Sequence, residues 1–118
     1  ALITQRAMDP EKGRFDIPGG FLEVGETPVE GVKRELREEL GVEVDVTDAD
    51  YIQSSPHRYG NDGTWTLALG FRARLASGDP TPADDVESFR WVEENELDAI
   101  DFAWDHDRDL IRRVLTDE

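Results

Sequence analysis

The sequence contains no cysteine. Disulfide bridges and thiolate zinc sites are therefore excluded within its 118 residues, and a reducing cytoplasm is the expected setting. Lysine is almost missing too: Lys12 and Lys33 are the only two, and arginine fills the other basic positions. No apolar run approaches the roughly 20 residues that a membrane-spanning helix needs, and no leader-peptide pattern is visible. Twenty-eight acids against thirteen bases give a formal charge of −15. Such a surface repels nucleic acid, whose binding draws on grouped Lys and Arg. It should equally repel a small phosphate compound, unless cations stand between the two. The chain opens without Met on Ala1-Leu2-Ile3, which reads as the tail of a strand, so residues upstream are expected.

Hydrophobic residues make up 37% of the chain and include three Trp, five Phe and two Tyr. That is enough for one core, and a single domain over 1–118 is expected. Patterning predicts short strands at 2–6, 14–17, 42–46, 50–54, 65–75 and 87–92. The clearest is 65–75, where Trp65, Leu67, Leu69, Phe71, Ala73 and Leu75 alternate with mostly polar or small residues. Gly78, Pro80 and Pro82 mark a loop. A helical turn is expected near Glu94–Ala99 and a helix over 104–115, where Leu110, Ile111, Val114 and Leu115 share a face. The best-specified element is a helix at 28–40. Thr27 suits the N-cap, Pro28 the first turn, Glu30 a capping box and Gly41 the stop. Val29, Val32, Leu36 and Leu40 form its apolar stripe. Strands and helices interleave, which argues for an α/β or α+β sandwich.

Glu35, Glu38 and Glu39 lie on that helix at spacing i, i+3, i+4, which places them on one arc beside the apolar stripe. Like charges so placed are mildly destabilising, and divalent cations between them would relieve the repulsion. Hard carboxylate oxygens suit Mg²⁺ or Mn²⁺. Arg34 can reach Glu38 or Glu30 along the helix. Ahead of the helix runs Asp16-Ile17-Pro18-Gly19-Gly20-Phe21-Leu22-Glu23-Val24-Gly25-Glu26, a glycine-rich loop feeding a helix N-terminus, where anions are favoured.

The combined pattern is Gly20, five residues, Glu26, seven residues, then Arg34-Glu35-Leu36-x-Glu38-Glu39-x-Gly41-Val42. It resembles the box of the Nudix hydrolases, enzymes of nucleoside diphosphate-X compounds, at every specified position over 20–42. Gln5-Arg6-Ala7 before Lys12–Pro18, and Asp84-Asp85-Val86-Glu87 before Phe89-Arg90-Trp91-Val92, are similar to the family's lead-in and late loop. The resemblance implies an α/β/α sandwich around a mixed sheet, with the usual first strand cut to a few residues. It implies Mg²⁺ or Mn²⁺ held by Glu35, Glu38 and Glu39 with the carbonyl of Gly19. Gly20, Glu26, Arg34 and Gly41 would be structural. The general base would be Glu35 or a late acid, with Asp84, Asp85 and Glu87 as candidates. A small nucleotide would be the substrate, with neither nucleic acid nor a membrane as partner, and a homodimer is an open assembly.

The substrate stays open at this point. Pro56 stands about where ADP-ribose-type members place a proline. Tyr59 stands where dinucleoside-polyphosphate members place a tyrosine, and Ser54, Pro56 and Tyr59 echo part of the NADH pyrophosphatase motif. A nucleotide sugar or ADP-ribose is favoured, with dinucleoside polyphosphate, NADH and (d)NTP as alternatives. Arg6, Arg14 and Arg58 are candidate phosphate contacts. Tyr59 and Trp65 are candidate base-stacking rings, the other reading being a core Trp65 and a Tyr59 that packs its loop. His57 reads as a phosphate contact or a solvated loop residue, and His106 as a surface residue. Asp105, Asp107 and Asp109 copy the start of a calcium loop, but that loop would need Gly at Leu110 and Glu at Thr116, so they read as exposed helix surface. The rival functions are a catalytically silent nucleotide-binding regulator, a Ca²⁺-binding module and an acidic structural domain.

Overall fold

Helix α1 (Pro28–Leu40) forms where local chemistry asks for it. The Thr27 hydroxyl accepts from the Glu30 amide at 3.2 Å, and the Glu30 carboxylate accepts from the Thr27 amide at 3.0 Å. These reciprocal bonds satisfy two donors that a helix start otherwise leaves orphaned. At the other end Gly41 adopts φ 68°, a left-handed conformation that glycine enters without a Cβ penalty, and its amide reaches back to the Arg37 and Leu36 carbonyls. The face turned inward carries Gly31, Leu36 and Leu40, and with them one carboxylate, Glu39.

The structure, a computed structural model, describes residues 1–83 and 85–116. Seven strands precede or follow α1: β1 (Leu2–Arg6), β2 (Phe15–Asp16), β3 (Glu43–Asp45), β4 (Tyr51–Arg58), β5 (Trp65–Phe71), β6 (Arg74–Ser77) and β7 (Val86–Trp91). Helix α2 (Asp105–Thr116) closes the described chain, after a 3₁₀ turn at Glu94–Ala99. β1 runs between β2 and β7, while β3 pairs with β6 and β4 with β5. These pairings are antiparallel, and a single-residue bridge between Phe15 and Phe102 supplies a parallel one.

The sandwich follows from alternation along β1. Ile3 joins Val92, Leu97, Ile100, Phe102 and Ile111 in one buried cluster, on the side of α2. Its neighbour Leu2 packs on the other cluster, Leu36, Leu40, Val42 and Val86, on the side of α1. Successive strand side chains point to opposite faces, so one strand serves both helices. Ile3, Leu40 and Leu97 are fully buried, each contributing about 1.5–3 kcal/mol of hydrophobic stabilisation.

The expected strand at 65–75 is two strands. Its break comes at Arg72, whose amide turns to the Asp50 carbonyl and whose guanidinium bonds the Val114 carbonyl. The alternating apolar face of β5 is not core either: Trp65 and Leu67 are more than half exposed. The expected exposed trio on α2 is also corrected. Asp105 and Asp109 are exposed, but Asp107 is buried at 4% exposure, because it lies three and four residues before Leu110 and Ile111 on the inward face. His106 is half-buried rather than a surface residue.

Candidate active site

The glycine-rich loop between β2 and α1 is fastened to the helix by Arg34. Its guanidinium forks onto Glu26, with Nε donating at 2.7 Å and Nη2 at 3.0 Å. Nη2 also donates to the Phe21 carbonyl at 3.0 Å, and Nη1 donates to Glu35 at 2.7 Å and Glu38 at 3.2 Å. A planar cation with several fixed donors suits this fork; lysine could not make it. The Gly20 backbone lies against Glu35 so closely that a Cβ there would stand 2.6 Å from the carboxylate. Glycine is thus what allows the loop to cradle Glu35.

Glu39 is the buried member of the trio. Its carboxylate accepts from the Gly19 amide at 2.9 Å. Burial pushes its pKa up to about 8, and the charges of Glu35, Asp85 and Asp16 push the same way against the Gly19 hydrogen bond. Glu35 is raised as well, chiefly by desolvation, with Arg34 opposing and Glu38 and Asp85 adding to the rise. Asp16 is raised by burial despite its bonds from Arg6 and Thr4. Burial, with a smaller contribution from the charges of neighbouring acids, therefore holds several acids of one region toward the protonated form. Among the described residues no three acidic or imidazole side chains converge closely enough to hold a metal ion. Arg34 draws Glu35 and Glu38 to itself and Glu39 turns to Gly19.

A cleft of about 960 Å³ opens beside this cluster, lined by Gly19, Gly20, Arg34, Glu35, Glu39 and Asp85, and at another end by Arg6, Tyr59 and Trp104. Arg6 follows a shift in the β1–β7 register, and its Nη1 meets Asp16 at 2.7 Å while Nη2 donates to the Tyr59 hydroxyl at 3.2 Å. The structure thus brings together Gly19, Gly20, Glu35, Glu39, Asp85, Arg6 and Tyr59. It does not bring Arg14, Arg58 or Glu87 to the cleft. Arg14 is tied to Asp101 and Glu11, Arg58 covers the exposed Trp65 ring at 5.0 Å, and Glu87 is exposed on β7. Glu38 does not line the cleft either; it is half exposed beside Arg34. Asp84 lies outside the described residues. Trp65 is not core, being 61% exposed at the start of β5, and it does not line the cleft.

Three residues at the site were not signalled as such by the sequence: Asp16, Trp104 and Asp107. Asp107 was legible in principle, because it shares the helical face of Leu110, Ile111 and Val114. Its carboxyl accepts from the Ile17 amide, and burial together with the charge of Asp16 pushes its pKa up to about 8. His106 Nε2 is 3.3 Å from it, and burial together with the charge of His57 lowers the His106 pKa.

The sequence matches the NUDIX domain over residues 1–114. The chain belongs to the Nudix family. This Nudix domain is 33% identical over 107 residues to the ADP-ribose pyrophosphatase of Methanocaldococcus jannaschii, a match that covers 91% of the chain and 61% of that enzyme. It is 32% identical over 119 residues to the 8-oxo-dGTP diphosphatase of Haemophilus influenzae, covering 98% and 81% respectively. Its fold superposes on the crystal structure of a Nudix hydrolase from Nitrosomonas europaea with a TM-score of 0.79 and 28% identity, over 99% of this chain and 63% of that one. The domain thus spans under two thirds of the length of the first of these relatives and of that structure.

Proposed function

We propose that this Nudix domain hydrolyses the phosphoric anhydride bond of a nucleoside diphosphate derivative, with Mg²⁺ or Mn²⁺ as cofactor. The observation that carries the reading is the crowding of Glu35, Glu39, Asp16 and Asp85 around one end of a cleft, in a domain of this family. The donor set fits a hard divalent cation: oxygen ligands only, mutual repulsion, and a Gly20 cradle that a Cβ would fill. Glu35, Glu38 and Glu39, with the Gly19 carbonyl, would hold it. When bound, such a cation neutralises diphosphate charge and makes a bound water more acidic.

The chain's own residues do the rest. Arg34 offsets the charge of Glu35 and Glu38 and braces the loop through Glu26. Glu35 and Asp85 both line the cleft, so either can accept the proton of the attacking water; Asp85 is favoured among the late acids because Glu87 is exposed on β7, away from the cleft. The water oxygen bonds to one phosphorus, the bridging P–O bond breaks, and the other phosphate leaves with the electron pair. Arg6, at the cleft and already braced, is the favoured phosphate contact over Arg14 and Arg58.

For the substrate we favour ADP-ribose or a nucleotide sugar, which the M. jannaschii relative supports; the H. influenzae relative supports an oxidised purine triphosphate instead. No described helix is long and apolar enough to cross a membrane. A cytoplasmic location remains part of the proposal, and so do a small-molecule substrate and a homodimer. The test is a panel of nucleoside di- and triphosphate compounds with Mg²⁺, products identified by mass, with Glu39→Gln alongside. Phosphorylated products from at least one compound, lost in the variant, are expected. Binding without turnover across the panel would favour a silent regulator and overturn the reading.

A further inference from the structure

Among the described residues, three polar or charged side chains are buried: Thr4, Glu39 and Asp107. Removing such groups from water is costly unless each finds a hydrogen bond. All three direct a bond at one segment, Asp16–Gly19. The Thr4 hydroxyl donates to the Asp16 carboxylate at 2.9 Å. The Asp107 carboxyl accepts from the Ile17 amide, and the Glu39 carboxylate from the Gly19 amide at 2.9 Å. Pro18, between the last two, has no N–H to offer. The segment is thus held from β1, α2 and α1 at once. Asp107 stands there for a local reason. Phe15 pairs with the chain that enters α2: its amide donates to the Asp101 carbonyl at 3.0 Å, and its carbonyl accepts from the Ala103 amide at 2.8 Å. A parallel ladder carried on would take the Ile17 amide to the Ala103 carbonyl. The partner chain turns into α2 at Asp105 instead, and the Asp107 side chain in the first turn replaces that carbonyl.

We infer that Asp107 is a positioning residue of the hydrolase site: through the Ile17 amide it holds the Gly19–Gly20 turn where that turn meets Glu39 and Glu35. The inference rests on the hydrolase reading and deepens it. The Gly20 backbone fits against the Glu35 carboxylate with no room for a Cβ, so a small movement of the turn changes how that carboxylate is seated. Glu39 fixes Gly19 from the α1 layer by one bond, about which the turn could still pivot. A second hold at Ile17, from the α2 layer, removes that freedom. What Asp107 supplies is an acceptor at a fixed place, which a carboxyl, a carboxylate or an amide oxygen can provide. A side chain without an acceptor leaves the Ile17 N–H unpaired, and the strand end then shifts to find another partner.

The test compares Asp107→Leu and Asp107→Ala, which lack an acceptor, with Asp107→Asn, which keeps one. Amide exchange is first followed by NMR in the ¹⁵N-labelled domain without divalent cation. In Asp107→Leu and Asp107→Ala the Ile17 and Gly19 amides should exchange roughly tenfold faster or more, while amides of β3 and β6 keep their wild-type rates. In Asp107→Asn all of them should stay protected. Turnover of ADP-ribose and 8-oxo-dGTP with Mg²⁺ is then measured at pH 7. For a compound that the wild type hydrolyses, kcat should fall roughly tenfold or more in the first two variants with KM within about threefold, and Asp107→Asn should restore kcat to within about threefold. Unchanged Gly19 exchange, a kcat that holds while only the urea midpoint falls, or an Asp107→Asn as impaired as the others overturns the inference. If neither Asp107→Leu nor Asp107→Ala folds, Asp107→Asn decides: loss of its kcat or of Ile17 protection overturns the inference, and retention of both supports it. Should the wild type hydrolyse no nucleoside di- or triphosphate compound while Gly19 exchange rises in Asp107→Leu, the hydrolase reading falls and the hold on the turn stands. Wild-type turnover with Gly19 exchange and kcat unmoved in Asp107→Leu does the opposite.

Discussion

Asp107→Asn separates a buried neutral acid from a buried ion by its effect on stability against pH. In the native domain Asp107 is 4% exposed, and burial beside Asp16 raises its pKa from 3.8 to about 8. Between those two values the folded protein keeps a proton that the unfolded chain has released. Stability is then greatest below the unfolded value and declines as pH rises toward the folded one, by at most about 1.4 kcal/mol per pH unit. From pH 5 to pH 8 the accumulated loss is on the order of 4 kcal/mol, a large part of the 5–15 kcal/mol typical of a domain. Asparagine is nearly isosteric and carries no titratable proton, so the variant loses this slope. Glu39 is also raised to about 8 and tilts the wild-type curve the same way; the difference between wild type and variant removes that contribution. The measurement is urea unfolding of both proteins at pH 5, 6, 7 and 8 without divalent cation. The variant should gain on the wild type at each step. A fixed offset from the extra amide N–H is independent of pH and leaves the slope intact. A flat difference would refute the reasoning. So would a difference that stays flat from pH 5 to pH 6 and grows only above the ordinary histidine pKa of 6.5, which would mean that Asp107 is ionised and paired with a protonated His106.

Three further outcomes are expected. Glu39→Gln should lower kcat by roughly 10² or more, the scale of losing a positioned catalytic group, and should abolish any Mg²⁺-induced rise in Tm; near-normal kcat at saturating Mg²⁺ would remove Glu39 from the site. Gly20→Ala puts a methyl carbon 2.6 Å from the Glu35 carboxylate, so it should cut activity at least tenfold with little change in the unfolding midpoint, checked by paired kinetic and urea measurements. Gly70→Ala brings a Cβ to 2.6 and 2.8 Å from the Leu110 methyls, and the overpacking should destabilise by about 1–3 kcal/mol in urea unfolding while the carboxylate end is untouched.

Helix α1 shows how far local chemistry reaches. Its start and end were legible to the residue, because Thr27, Pro28, Glu30 and Gly41 each act through bonds within one turn. The strands near 2–6 and 87–92 and the turn at Glu94–Ala99 were legible as well. The long run at 65–75 misled. Its alternation is real, but Arg72 is captured by Asp50 and Val114, partners 22 and 42 residues away, which no window along the chain contains.

The sequence by itself determined the carboxylate trio, its spacing and the loop that feeds it, since all of these lie on one helix and its cap. Only the tertiary structure decided which acid of the trio is buried, which late acid faces the cleft, and which rings stand opposite. Glu35, Glu38 and Glu39 look alike in sequence, but packing desolvates Glu39 and leaves Glu38 half exposed. Trp65 and Trp104 look alike too, yet one is exposed on a strand and the other stacks on Tyr59. Burial and proximity across separate elements are properties of the assembled chain, and they assign different chemistry to residues of the same type.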